Sequence, residues 1–231
     1  MRKLGMIGGM SWASTRRYYE LINRAVQTAR DKRTSAPLLL ESLDFNCVYR
    51  LRSDEEWQRA AGILADAANR LKDAGAEAVI ICANSMHKIY RDLQPRVDIP
   101  IIHIAETVGA KMQADGVKTA SLIGTHNVMT EGFYRRRLVS YGVDLLPPDM
   151  GVVEKVDNLI YDELMQGRAT RDAERLLKTV ITNQSRDGAQ AIVLACTELE
   201  MVVDIDANIL PIYDSTTIHA QAAADWILGK D

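Results

Sequence analysis

The chain has 231 residues and a formal net charge of −3, with 47% apolar and 26% charged residues, as in an ordinary globular protein. This length suits one large domain or two small ones, and the slight acidic excess argues against a nucleic-acid binder. The apolar runs are too short to span a bilayer, and the N-terminal run breaks at two glycines without a signal-cleavage site. Three widely spaced cysteines suit a reducing compartment, so we expect a cytoplasmic protein that binds neither membrane nor nucleic acid.

Short apolar runs alternate with helix-length segments along the chain. The runs are continuously apolar, as in parallel strands that are buried on both faces. In chain order, the predicted strands are Leu4–Ile7, Pro37–Leu43, Ala78–Cys82, Ile99–Ile104, Thr119–Ile123, Ala191–Ala195 and Leu210–Tyr213.

Two intervening segments have apolar residues at helical spacing, residues 56–75 and 171–188. They end at Gly75 and Gly188, and glycine is typical of the position just after a helix. The segment TTIHAQAAADWILGK near the C-terminus predicts one more amphipathic helix. Such alternation of strands and helices predicts βαβ units and parallel sheets.

An internal repeat relates the two halves of the chain. Residues 6–19 (MIGGMSWASTRRYY) align with residues 121–134, residues 74–82 with 187–196, and residues 100–107 with 211–216. The interval from Gly8 to Cys82 is 74 residues, and that from Gly124 to Cys196 is 72. The repeat predicts an α/β fold of two pseudo-symmetric open parallel-sheet lobes. We expect residues 1–106, joined by a C-terminal helix over 214–231, to form one lobe, and residues 107–213 the other.

Cys82 and Cys196 fall at matched strand ends, each followed by small polar residues. Ligands of open parallel sheets bind outside the carboxyl ends of the strands, so we expect the active site in a cleft between the lobes. Two thiols on opposite faces of a stereocentre can remove a proton from one face and deliver one to the other. Cysteine suits this role because an electropositive or helix-N-terminal setting can lower its pKa toward neutrality.

The same residues carry a family resemblance that runs nearly end to end. The motifs are GGMSW near the N-terminus, Cys82-Ala83-Asn84-Ser85-Met86-His87, the pair Gly124-Thr125, and Ala195-Cys196-Thr197-Glu198. Together they make the chain resemble the aspartate/glutamate racemases, which are cofactor-independent enzymes with one catalytic cysteine in each lobe. One departure is Ala195, where many relatives have glycine.

The resemblance implies a set of site residues. Cys82 and Cys196 would be the acid/base pair, and no cofactor or metal would be needed. The amino-acid head group would be held by the backbone of Met10 and by Asn84, Ser85, Thr125 and Thr197. Apart from the resemblance, Glu198 could assist Cys196 or contact the substrate ammonium, or it could be an ordinary acid in the first turn of a helix. The family commonly forms dimers, so a homodimer is expected.

Recognition of an acidic side chain requires a cation, ideally an arginine. Arg52 is the first choice, in the loop after the second strand, with Arg50 and Lys155 as alternatives. Cys47 has no partner in the repeat and is interpreted as a packing or loop thiol. His87 has no assigned role.

No residues have the spacing of a metal site, and GMIGGM lacks the dinucleotide-binding pattern.

The sequence therefore predicts a racemase that interconverts L- and D-aspartate or glutamate, or a broader set of amino acids. Three alternatives stay open. One is another reaction on the same scaffold, such as hydantoin racemisation, maleate isomerisation or decarboxylation of a malonate. The second is a non-catalytic amino-acid-binding protein. The third is a redox dithiol protein, which is disfavoured because the two cysteines lie 114 residues apart without a CxxC motif.

Overall fold

The computed structural model describes residues 1–230, and the chain divides into two compact units. Unit 1 contains Met1–Ile104 and the C-terminal stretch that begins at His219, and unit 2 contains Ala105–Ile218. No helix among the described residues is long and apolar enough to cross a membrane.

The helices and strands alternate in both units. The strands are β1 (Leu4–Gly8), β2 (Leu38–Ser42), β3 (Ala78–Ile81), β4 (Ile101–Ile102), β5 (Thr119–Gly124), β6 (Asp144–Leu145), β7 (Ala191–Ala195) and β8 (Ile212–Asp214). The α-helices are α1 (Trp12–Ala29), α2 (Asp54–Asp73), α3 (Tyr90–Leu93), α4 (Ile104–Ala114), α5 (His126–Thr130), α6 (Gly132–Ser140), α7 (Met150–Asp162), α8 (Arg171–Arg186) and α9 (Ser215–Leu228). Short 3₁₀ helices span Phe45–Cys47, Ser85–Ile89, Gln94–Arg96, Leu164–Gln166 and Thr197–Met201.

Within residues 1–230 each unit has one four-stranded parallel sheet. The strand order is β2-β1-β3-β4 in unit 1 and β6-β5-β7-β8 in unit 2. β1 and β5 are the central strands that pair with β3 and β7, respectively, and all these pairings are parallel. The two orders are the same when each strand number is advanced by four. This confirms the predicted α/β class and parallel sheets, and it agrees with the internal repeat.

The central strands are buried on both faces, as their continuous apolar runs predict. Every residue of β1, β3 and β7 is buried. Burying an isoleucine such as Ile80, which is 0% exposed, contributes roughly 2–3 kcal/mol to folding. The cysteine that follows β3 or β7 is therefore carried on a strand whose position the core fixes.

Helix α2 shows how local sequence sets the bounds of an element. Ser53 and Glu56 form a capping box, in which each side chain accepts a hydrogen bond from the other residue's backbone. The last turn carries Arg70 and Lys72, whose charges suit the negative end of the helix dipole. Gly75 has a φ of +95° just beyond the end of the helix, a conformation that favours glycine. The predicted helix and its glycine terminator are confirmed.

The strand predictions differ from the structure mainly at short strands. β6 has no counterpart in the prediction, because its two residues, Asp144 and Leu145, form no apolar run. The predicted strand Ile99–Ile104 is too long, since β4 covers Ile101–Ile102 and α4 begins at Ile104. The predicted strand Leu210–Tyr213 shifts to Ile212–Asp214.

The last helix, α9, supplies small side chains to the core of unit 1. Ala220, Ala223, Ala224 and Ile227 are buried in one cluster with β1 residues and with Tyr18 of α1. His219, four residues after the first residue of α9, is fully buried. Its Nε2–H donates to the Ile102 carbonyl at 2.9 Å, and its Nδ1 accepts from the Tyr18 hydroxyl at 2.9 Å. Both ring nitrogens of the neutral imidazole therefore form hydrogen bonds.

Acid should destabilise the protein through His219. Burial lowers the pKa of His219 from 6.5 to about 4. Between these values the unfolded chain binds more protons than the folded one, so the free energy of unfolding falls as the pH falls. We expect a loss of roughly 2 kcal/mol between pH 7.5 and pH 5 from this residue. Urea unfolding at both pH values measures it.

The control for this prediction is His219→Gln, which can donate and accept hydrogen bonds but does not titrate in this range. The variant should be less stable than the wild type at pH 7.5, and it should lose less stability on acidification. An identical loss in both proteins contradicts the prediction.

Candidate active site

The predicted site residues of unit 1 lie in the loops after β1 and β3. Met10 is 5% exposed and follows β1, and Cys82 and Asn84 are 0% and 6% exposed and follow β3. Ser85 is half-buried and opens the 3₁₀ helix Ser85–Ile89. β1 and β3 are paired in the sheet. The structure thus places these four residues at the carboxyl ends of two neighbouring strands.

The loop after β1 depends on glycine at position 9. Gly9 has a φ of +83°, and a Cβ there would collide with the backbone of Leu43. Its N–H donates to Thr15 Oγ1 at 2.8 Å, and the Thr15 hydroxyl donates to the Ser11 carbonyl at 2.9 Å. Thr15 therefore fixes the backbone on both sides of Met10. Sequence reasoning missed Thr15, although it lies within the repeated segment 6–19.

Cys82 is fixed by the sheet and enclosed by the core. Its N–H donates to the Ile7 carbonyl at 2.9 Å, which extends the β1–β3 pairing by one residue. The side chain belongs to the same buried cluster as Leu4, Met6 and Ile80. Burial raises the pKa of the Cys82 thiol well above its ordinary value. The thiol is therefore protonated at neutral pH in this structure.

Asn84 brings a polar group into this buried loop. Its Oδ1 is buried and has no hydrogen-bond partner among residues 1–230. Buried polar atoms of this kind are rare in folded proteins, because an unmade hydrogen bond costs about 1–3 kcal/mol. A polar ligand would supply the partner.

The predicted residues of unit 2 lie after β5 and β7, which are the counterparts of β1 and β3. Thr125 follows β5 and is 6% exposed. It occupies the N-cap position of α5, but its hydroxyl makes no capping bond. Thr125 Oγ1, like Asn84 Oδ1, is buried without a partner among the described residues. Among the predicted site residues, each unit therefore has one buried polar atom that a ligand could satisfy.

Cys196, Thr197 and Glu198 follow β7 and are 7–8% exposed. The Cys196 thiol donates a hydrogen bond to Glu198 Oε2 at 3.1 Å. The Thr197 hydroxyl accepts from the Thr216 hydroxyl at 3.3 Å. Glu198 was predicted to contact the substrate ammonium or to assist Cys196, and the structure brings it to the thiol.

Burial and two neighbouring carboxylates raise the pKa of Cys196. Burial has the largest effect, and the charge of Glu198 raises the pKa further. Asp157 of α7 adds a smaller effect of the same sign, and its Oδ1 accepts from the His126 N–H at 2.7 Å. Sequence reasoning missed Asp157, because it lies 39 residues from Cys196 and outside the repeated segments.

We expected the pKa of each cysteine to be lowered toward neutrality, but in the structure both pKa values are raised. Both thiols are buried, and burial disfavours the thiolate. A 3₁₀ helix, rather than a full α-helix, follows each cysteine. A nearby carboxylate, rather than a cation, is the charged neighbour of Cys196. A thiolate at either position would therefore require a proton acceptor.

The candidate cations for a substrate side chain lie apart from these loops in sequence. Arg52 is exposed, and its backbone N–H donates to Glu56 Oε2 at 2.6 Å, just ahead of α2. Arg50 is half-buried with a φ of +51°. Lys155 is exposed on α7. Cys47 is exposed at the end of the 3₁₀ helix Phe45–Cys47, as a loop thiol would be.

No group of three or more His, Cys, Asp or Glu side chains within residues 1–230 could hold a metal ion.

Comparison with known proteins gives a consistent result. The sequence model of the family described as Asp/Glu/Hydantoin racemase matches residues 7–223. The broad specificity amino-acid racemase RacX of Bacillus subtilis (strain 168) is 24% identical over 163 residues, which cover 71% of this chain and 70% of that protein.

Two solved structures align with almost the whole chain. One is a Yersinia pestis protein provisionally described as an Asp/Glu racemase, with 38% identity, a TM-score of 0.91 and coverage of 99% of this chain and 100% of that one. The other is an aspartate racemase homologue from Pyrococcus horikoshii OT3, with 27% identity, a TM-score of 0.84 and coverage of 99% and 100%.

Proposed function

Because the chain belongs to the Asp/Glu/hydantoin racemase family, we propose that it is a cofactor-independent racemase of aspartate, glutamate or a broader set of amino acids. The observation that carries the proposal is the pair of buried thiols. Cys82 and Cys196 follow equivalent strands of two sheets with the same strand order. Two equivalent thiols are what a proton exchange on both faces of one carbon requires.

The reaction begins with formation of a thiolate. Cys196 transfers its proton along the existing hydrogen bond to Glu198, which gives a thiolate beside a neutral carboxyl group. The thiolate removes the proton from Cα, so the Cα–H bond breaks and a Cys196 S–H bond forms. Cys82 then breaks its S–H bond and delivers that proton to the opposite face. This turnover leaves Cys82 as a thiolate and Glu198 neutral, and the starting state returns when Glu198 releases its proton to solvent and Cys82 takes one up. In the reverse direction the Cys82 thiolate removes the proton from Cα, and Cys196 breaks its S–H bond to deliver a proton to the other face.

We assign the substrate head group to residues in the loops that follow β1, β3, β5 and β7. The Thr125 hydroxyl and the Asn84 side chain are buried with an unused polar atom each, which supports a role in holding the carboxylate and the ammonium. Met10 backbone, Ser85 and Thr197 complete the proposed set. Fixed hydrogen-bond donors near the carboxylate stabilise the negative charge that develops when Cα loses its proton.

An acidic substrate needs a cation for its distal carboxylate. Arg52 remains the first choice, because it is exposed in the loop after strand β2 and a guanidinium can form a bidentate pair with a carboxylate. RacX of Bacillus subtilis is a broad specificity enzyme. Neutral amino acids are therefore included among the proposed substrates. A homodimer in the cytoplasm is part of the same proposal and rests on the resemblance and the composition.

The function is tested with each pure enantiomer of the twenty amino acids, and with a hydantoin, in deuterated water. We expect racemisation of aspartate or glutamate without added cofactor. Early in the reaction the product should carry deuterium at Cα while the remaining substrate keeps its proton. This pattern follows because the thiol that removes the proton is not the one that delivers the deuteron. Proton NMR and chiral chromatography measure the two quantities.

Two outcomes contradict the proposal. Calorimetric binding of an amino acid without any change in optical rotation would indicate a binding protein. Equal deuterium in recovered substrate and product from the first turnovers would indicate a single base whose captured proton exchanges with solvent before it is delivered to either face.

A further inference from the structure

Three buried histidines of unit 1 form a cluster beside the loop that follows β3. His87, His103 and His219 are 0%, 1% and 0% exposed. The ring of His87 lies edge-on to both neighbours, with centroid distances of 4.6 Å to His103 and 5.7 Å to His219. We call these three residues the histidine cluster. Its hydrogen bonds indicate what it does.

The two ring nitrogens of His87 have fixed and different roles. Nδ1 lies 2.9 Å from the Ala83 carbonyl oxygen, which can only accept, so Nδ1 carries the proton. Nε2 accepts a hydrogen bond from the Ile104 N–H at 3.3 Å. His87 is therefore a neutral imidazole of one defined tautomer. It links the loop after β3 to the first residue of α4.

This link acts on the residues that flank Cys82. Ala83, whose carbonyl accepts from His87, is the next residue after Cys82. The Asn84 carbonyl accepts from the His87 backbone N–H at 3.1 Å, and the Cys82 N–H donates to Ile7. The loop of residues 82–84 is thus held at three points, two of which belong to His87.

We propose that His87 is a positioning residue for Cys82, which holds the thiol and Asn84 in place through the Nδ1–H bond to the Ala83 carbonyl. The inference rests on the proposed function, since it assigns a role in the proton transfer at Cys82. Proton transfer requires reacting atoms about 3–3.5 Å apart, and a misplacement of about 1 Å can cost roughly a hundredfold in rate.

Unit 2 has a different arrangement at the equivalent place. The residue five positions after Cys196 is Met201, which is 41% exposed. The Cys196 thiol instead donates a hydrogen bond to Glu198 Oε2. A loss at position 87 should therefore affect Cys82 and leave Cys196 unchanged.

Two substitutions separate the two hydrogen bonds of His87. His87→Asn places an amide nitrogen near the position of Nδ1 and can keep the bond to the Ala83 carbonyl. His87→Gln places an amide oxygen near the position of Nε2 and can keep the bond from Ile104. Each variant removes the ring from the cluster, so each is the control for the packing effect of the other. Thermal unfolding measures that shared effect.

The kinetic test compares kcat, KM and the α-deuterium isotope effect on kcat in the two variants. We expect kcat of His87→Gln to fall roughly tenfold to a hundredfold with little change in KM. The isotope effect should increase, because proton transfer becomes slower than the other steps. His87→Asn should keep kcat within about threefold of the wild type and restore its isotope effect. Equal losses in both variants with an unchanged isotope effect overturn the inference, since a smaller folded fraction lowers the rate without altering that ratio.

Thiol labelling tests the same inference without relying on activity. A small methanethiosulfonate reagent and peptide mass spectrometry give the modification rate of each cysteine. We expect His87→Gln to change the rate at Cys82 several-fold, with Cys196 unaffected and His87→Asn equal to the wild type. If the wild type shows no racemisation but this labelling pattern is found, the proposed function fails and the positioning role stands. A rate at Cys82 that is the same in all three proteins overturns the positioning role.

Discussion

Replacing either buried cysteine by serine should lower racemisation by at least roughly a thousandfold. Serine has a far higher pKa than cysteine, so it can neither act as the base nor reprotonate Cα at a useful rate. We expect this result for both Cys82→Ser and Cys196→Ser. Chiral chromatography of the product measures it.

The two serine variants should exchange the α-proton of opposite enantiomers. The thiol that remains can still remove the proton from one face of Cα and return a deuteron from solvent to that face. Cys82→Ser should therefore exchange the α-proton of one enantiomer without racemising it, and Cys196→Ser should exchange that of the other. Proton NMR in deuterated water follows the loss of each α-proton signal.

The matched control is Cys47→Ser, because Cys47 is exposed and lies outside the proposed machinery. It should retain wild-type turnover. Cys82 is packed in the core, so Cys82→Ala provides a second variant in which no hydroxyl is buried. Normal racemisation by either serine variant, or exchange of the same enantiomer by both, contradicts the two-thiol mechanism.

Glu198→Gln should have the second largest effect. The amide can still accept a hydrogen bond from the Cys196 thiol, but it cannot take the proton. Since general acid–base groups contribute about 10²–10⁴ in rate, we expect kcat/KM at pH 7 to fall by roughly a hundredfold to a thousandfold. Circular dichroism should show an unchanged fold.

The pH dependence of this variant distinguishes proton acceptance from substrate binding. The charge of Glu198 raises the pKa of Cys196, so its removal lowers that pKa, while burial still keeps it above the ordinary value. The thiol must then ionise to solvent, and the rate should rise with pH beyond the range in which the wild type is constant. The deficit should shrink between about pH 7 and pH 9.

Glu200→Gln is the control for this prediction, because Glu200 is half-buried in the same 3₁₀ helix, Thr197–Met201. It should have a wild-type pH profile. A Glu198→Gln variant with a raised KM, an unchanged kcat and a wild-type pH profile would instead assign Glu198 to the substrate ammonium.

The fold was predictable from sequence where burial is continuous along the chain. β7 matches its prediction, Ala191–Ala195, since a strand buried on both faces has an unbroken apolar run. β6 was not predictable, because Asp144 and Leu145 become a strand only through pairing with Thr119 and Ala120. Strand identity at the edge of a sheet depends on the neighbouring strand rather than on the local residues.

The sequence predicted where the candidate residues lie in the fold but not their electrostatics. The repeat placed Cys82 and Cys196 at matched strand ends, where the structure also has them, and the position of Glu198 two residues after Cys196 suggested that it could assist that thiol. The direction of the pKa shifts could not be predicted, since it depends on how deeply each thiol is buried and on which charge lies beside it. The effect of Asp157 on the pKa of Cys196 depends on the proximity of two residues that are distant in sequence. The tautomer of His87 depends on which backbone groups its two ring nitrogens contact in the folded chain.

The unequal surroundings of the two thiols have a thermodynamic consequence. Cys196 has a carboxylate beside it, whereas burial accounts for the raised pKa of Cys82. Enantiomers have the same free energy in an achiral solvent, so a racemase must have equal kcat/KM values for its two directions. A difference between the two thiols can therefore change kcat and KM only by the same factor. Both constants are then larger for one enantiomer than for the other. The ratio of the two KM values therefore measures how differently the enzyme holds the two mirror-image substrates.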